Sequence, residues 1–179
     1  MEIHVFSGLG SSWLPSLRTG TTRLEALIDT HMRSVPVDAQ HHIWNDWPSV
    51  ARDIITREKR GKAMGPIALI GHSNGVLACA NIAKKLNEGS IAVSYIAAID
   101  PTLASFPAIY PNVLKVDEFW ATSGGVAMGR RWLGKGKCKI IDPSRTAYRT
   151  FIVRKNHVQS AEDRDVHLRI LQSVKELAA

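Results

Sequence analysis

Cysteine is scarce in this 179-residue chain, where Cys79 and Cys138 are the whole supply. Two cysteines make no disulfide framework, so a small stapled scaffold is excluded and a reducing, cytoplasmic setting is expected. No apolar run approaches the roughly 20 residues that a membrane-spanning helix needs. The opening residues Met1-Glu2-Ile3-His4-Val5-Phe6 carry neither a basic stretch nor an apolar signal core, so no secretory signal is expected. Acidic residues are also short, 16 against 23 Lys plus Arg, leaving a formal net charge of +7. That balance favours anionic surfaces or substrates without naming one. Phosphate-loop signatures are missing: Gly8-Leu9-Gly10 lacks a third glycine, and no Gly-Lys-Ser/Thr occurs. Metal ligation is not expected either. His41 and His42 are adjacent, and neighbours on a strand point to opposite faces.

The chain is long enough for one domain with a real core and too short for two, so residues 1–179 are read as a single domain. Its apolar content, 45%, is that of a globular protein. Short apolar stretches alternate with helical periodicities. Strands are expected over 2–6, 40–44, 66–70, 91–99, 113–116 and 148–153. Helices are expected over 21–32, 48–60 and 76–86, with a last one running to Leu177 and capped by Ser160. The segment 120–142, rich in Gly and Lys, reads as mostly irregular. Strands alternating with helices predict an α/β fold, a three-layer sandwich whose mainly parallel sheet has about six strands.

Gly71-His72-Ser73-Asn74-Gly75 is the stretch on which chemistry can be built. It joins a buried strand to a helix, and a serine between two glycines at such a junction is a nucleophile elbow. The turn leaves no room for flanking side chains. It lifts the hydroxyl above the sheet and points it near a helix N-terminus, which offers unpaired N–H groups to an oxyanion. Three further groups follow strand ends in the same sense: the Gly8 loop, Asp100 and His157. In open α/β sheets ligands sit at that edge.

These residues carry a resemblance. The first glycine loop, Gly71 to Gly75 after a buried strand, Ile99-Asp100-Pro101, and His157 before a final helix resemble a small α/β-hydrolase of the lipase/esterase kind. The match covers nearly the whole chain, and the order Ser, Asp, His is the one that family uses. The family's usual first two strands and a separate lid domain are missing, which makes this a minimal version. The resemblance implies that Ser73 is the nucleophile, His157 the base and Asp100 the carboxylate that orients it. Asp117 is the alternative acid, expected after the next strand, with Glu118 and Asp142 nearby. An oxyanion hole would come from the backbone N–H groups of Asn74 and Leu9, with the Gly10 or Ser11 amide as a replacement for Leu9. Gly8, Gly10, Ser11 and Trp13 would line the substrate site. Trp120 would form another rim.

Other readings stand beside these. His72 is expected to pack under the elbow, and His167 on the apolar face of the last helix. A single tryptophan such as Trp13 is more often part of a core than a ligand wall. The stretch Gly134-Lys135-Gly136-Lys137 is either a solvated loop or a contact for a negative group. The function expected is therefore ester cleavage through an acyl-enzyme, with thioester or amide cleavage open to the same machinery. It needs no cofactor, acts on a small ester or acyl substrate, and has no call for nucleic acid. The competing class is a catalytically inactive α/β binding module whose basic surface meets nucleic acid or acidic lipid.

Overall fold

The computed structural model describes residues 1–9, 19–101, 107–124 and 137–179. The sheet starts with β1 (Glu2–Ser7), all six residues of which are buried. Odd and even positions serve different faces: Ile3 and Val5 pack into one apolar cluster, Phe6 into the other. Five more strands complete the sheet: β2 (Asp38–Ile43), β3 (Ile67–His72), β4 (Tyr95–Ile99), β6 (Lys115–Ala121) and β8 (Ala147–Val153). Their order is β2-β1-β3-β4-β6-β8, and every pairing is parallel. The fold is α/β, as the alternating pattern predicts. A parallel sheet must be covered on both sides. Helices α2 (Trp47–Lys59) and α3 (Asn74–Asn87) cover one face. Helices α1 (Thr19–His31) and α5 (Arg164–Ala178) cover the other through Leu24, Ile28, Val166, Ile170 and Val174. No helix among the described residues is long and apolar enough to cross a membrane.

Three expectations need correcting. The strand expected over 113–116 runs instead from Lys115 to Ala121, so Asp117 lies inside a strand and not after one. Two-residue strands β5 (Ala108–Ile109) and β7 (Lys139–Ile140) pair with each other, inside or beside stretches read as loop. Their contacts are too far apart in sequence to leave a local pattern. Ser160 does not cap the last helix. It ends a separate short helix, α4 (His157–Ser160), and Asp163 caps α5 by accepting from the Asp165 and Val166 amides. Asp at an N-cap binds two amides where the Ser160 hydroxyl is already committed to the His157 carbonyl. Gly10, Ser11, Trp13, Trp132, Gly134, Lys135 and Gly136 lie outside the described residues.

Candidate active site

Register places the chemistry. Phe6 pairs with Gly71, and His72 with Ile99, so β1, β3 and β4 end side by side. Directly beyond them come Gly8, Ser73 and Asp100. Ser73 has φ 57° and ψ −122°, and Asp100 has φ 46°. A side chain held at positive φ is strained. Among the described residues one other non-glycine, Ser90, shares that sign. The glycines around the elbow are required by close approach. A Cβ placed on Gly71 would lie 2.4 Å from the Gly75 carbonyl, and one on Gly75 would lie 2.3 Å from the Phe6 carbonyl oxygen. Gly8 is equally confined, since its Cβ would meet the Ser73 Cβ at 2.7 Å. The glycine loop therefore packs directly on the serine.

Asp100 is fully buried, and both its oxygens are engaged. Oδ1 accepts from the Ala121 amide at 2.9 Å, which ties the carboxylate to the end of β6. Oδ2 lies 2.5 Å from His157 Nδ1. A carboxylate can only accept, so it selects the tautomer with the proton on Nδ1 and leaves the Nε2 lone pair basic. His157 itself opens α4, whose start is fixed by a capping box between Asn156 and Gln159. Two donors converge on the His157 carbonyl, His72 Nε2 at 2.9 Å and Ser160 Oγ at 2.7 Å. Burial, and then the neighbouring His157, hold His72 down to about 4 from its ordinary 6.5. It is a neutral ring at working pH.

Gly8, Leu9, His72, Ser73, His157 and Val158 line one small cavity of about 70 Å³. Leu9 and Val158 keep 61% and 44% of their surface exposed, so its mouth is apolar. Among the described residues no hydrogen bond joins Ser73 to His157, though both line this cavity. Asn74 is the first residue of α3, where amides have no partner within the helix. A larger depression, about 510 Å³, lies at the opposite edge of the sheet beside Gly65, Pro66 and Ser90, far from these groups. Volume does not locate the chemistry here. Asp117 points into other company, bonding Arg149, Tyr95 and Ser173.

Sequence reasoning missed the contacts behind the histidine. The Ala121 amide carries no local signal, because it meets Asp100 only once β4 and β6 have paired; the Ser160 bond is local, but a serine just before a helix reads equally as that helix's cap. His72 packs beneath the elbow as expected, yet its bond to His157 was not legible. His41 and His42 do face opposite sides, toward Thr21 and His4. No group of three metal-ligating side chains forms among the described residues. Cys79 and Cys138 are buried and free, with burial pushing both thiols up.

No family model and no curated protein matches the sequence. Solved structures do. The lin2722 gene product of Listeria innocua superposes with a TM-score of 0.60 at 11% identity, over 99% of this chain and 94% of that one. A Xanthomonas campestris protein assigned to the alpha/beta hydrolase superfamily gives 0.50 at 14% identity, over 96% and 98%. The fold is that of the α/β hydrolases. The RedJ thioesterase of the prodiginine pathway in Streptomyces coelicolor shares it, with a TM-score of 0.51 at 12% identity over 98% and 84% of the two chains. At these identities the likeness is one of architecture, and chemistry has to be argued from this chain's own side chains.

Proposed function

We propose that this chain is a serine hydrolase working through Ser73, His157 and Asp100 and a covalent acyl-enzyme. The observation that carries it is the 2.5 Å contact of a buried Asp100 with His157 Nδ1, beside a serine on a strained elbow. Ser73 Oγ attacks the acyl carbonyl as His157 Nε2 takes its proton. The carbonyl π electrons move to oxygen, and the oxyanion is met by the Asn74 and Leu9 amides, or by the Gly10 or Ser11 amide in place of Leu9. The intermediate collapses, and imidazolium returns the proton to the leaving group. Water then repeats the sequence on the acyl-enzyme and frees Ser73. Asp100 holds the ring in place and stabilises its charged form.

A carboxylic ester is the substrate class, with a short or accessible acyl group. Thioester cleavage uses the same steps and is supported by the shared fold of the RedJ thioesterase. A single domain in a cytoplasmic setting accords with two buried, free cysteines. A fluorophosphonate should add once to the wild type, read by intact mass, and not to Ser73→Ala, whose turnover should fall by about 10⁴-fold or more. Failure of the wild type to label sinks the reading. The net charge of +7 favours one other possibility, an inactive module binding polyanions. It would show salt-dependent affinity for heparin or RNA and no adduct.

A further inference from the structure

His72 is nearly fully buried, yet its ring is not spent on packing alone. Its Nε2 donates to the His157 carbonyl at 2.9 Å, and its ring centroid lies 4.7 Å from that of His157. The residue next to it is Ser73. One peptide unit therefore links the elbow to the backbone of the turn that carries the histidine. Asp100 fixes the His157 ring from one side, but a ring is only as well placed as the main chain bearing it. That main chain sits in a four-residue helix, too short to hold itself. The second donor on the same carbonyl, Ser160 Oγ, comes from within the same turn and cannot anchor it to the sheet.

Resting on the serine-hydrolase reading above, we propose that His72 is a positioning residue, which sets the distance between Ser73 and His157 through its bond to the His157 carbonyl. A neutral donor suits the place. A lysine or arginine there would set a fixed positive charge against the imidazolium that forms on His157 during turnover. The charged and titratable groups facing His72 are His157 and Asp100, and burial keeps His72 itself uncharged. Glutamine can supply a neutral N–H at similar reach, whereas phenylalanine keeps the ring volume and removes the donor.

The test follows fluorophosphonate labelling and ester hydrolysis in His72→Phe and His72→Gln. His72→Phe should lose about 10–100-fold in kcat and labelling rate with KM unchanged, the scale expected for a misplaced catalytic group. His72→Gln should recover most of that loss. His72→Leu, smaller and equally without a donor, should lose a comparable amount and serves if His72→Phe does not fold. In a His157→Ala background His72→Phe should cost nothing further, because there is no ring left to place. An equal loss in both backgrounds would mean that His72 only supports the fold, and the proposal falls. Wild-type rates in a folded His72→Phe, or in a folded His72→Leu where His72→Phe does not fold, would also overturn it. An unlabelled wild type overturns the serine-hydrolase reading and this inference together. A labelled wild type with an unimpaired variant overturns this one alone.

Discussion

Asp100 and Asp117 are buried to nearly the same degree, 0% and 1% exposed, on neighbouring strands of one sheet. Their partners differ. Asp117 receives two bonds from Arg149, Nε to Oδ1 at 2.7 Å and a second guanidinium nitrogen to Oδ2 at 2.8 Å. The Tyr95 and Ser173 hydroxyls both donate to Oδ2 as well, each at 3.1 Å. That set has a permanent cation and a fixed fork, so no proton can leave it at ordinary pH. Asp100 meets an imidazole, whose second nitrogen can take and release a proton. One aspartate joins two strands and a helix. The other holds a ring that can change its charge. Burial alone does not separate Asp117 from the proposed triad acid Asp100; the chemistry of the partner does.

The sharpest way to break this comparison is to neutralise each carboxylate. Asp100→Asn should lower kcat about 10³–10⁴-fold, because an amide in that position favours the wrong imidazole tautomer. Asp117→Asn should leave kcat within about threefold while lowering stability by about 1–2 kcal/mol in urea unfolding. Removing one partner of a buried pair costs about 3–5 kcal/mol, but Arg149 is half exposed and can turn to water. Equal kinetic losses in the two variants would erase the distinction.

A second change acts on the site's backbone alone. Gly8→Ala sets a methyl 2.7 Å from the Ser73 Cβ and 3.1 Å from the His72 carbonyl oxygen. Turnover should fall about 10–100-fold with the melting temperature little changed, since the loop can shift outward while the serine cannot stay put. Full activity would show that the loop yields without disturbing Ser73.

The smallest effect is in pH. Burial first, and then nearby histidines, hold His72 and His42 down to about 4 from the usual 6.5. Between those values the unfolded chain binds protons that the folded chain refuses. Stability is therefore complete above pH 6.5, falls as pH drops toward 4, and levels beyond it. The slope is at most about 1.4 kcal/mol per pH unit for each histidine. His42→Gln should reduce the slope of the urea midpoint against pH. His42 sits against His4, which bonds it at 3.0 Å, with Asp46, His41 and Asp38 near it. An unchanged slope would assign the acid sensitivity elsewhere.

Much of the fold was legible because its signals are local. Apolar runs such as Ile67 to Ile70 and periodic helices such as Val76 to Leu86 state their type within a few residues. The end of the sheet was harder. Lys115-Val116-Asp117-Glu118-Phe119 carries three charges in five residues, and the sequence reading ends its strand at Val116. It is buried strand only because Arg149 meets Asp117, and because the Cys138 amide and the Tyr148 hydroxyl meet Glu118. Those partners lie 20 or more residues away. The short β5–β7 pair failed to show for the same reason.

The sequence by itself determined the elbow. Gly71 and Gly75 flank Ser73 between a buried strand and a helix, and no other residue fits where a Cβ would strike backbone. It also put Ser73, Asp100 and His157 just past the ends of three strands, β3, β4 and β8. Which carboxylate meets His157, and what holds the histidine's main chain, only the tertiary structure decided. Both depend on the register that sets the end of β3 beside β4 and on the path that carries α4 back across it. No single segment of the chain encodes those contacts, because each is made by groups far apart in sequence.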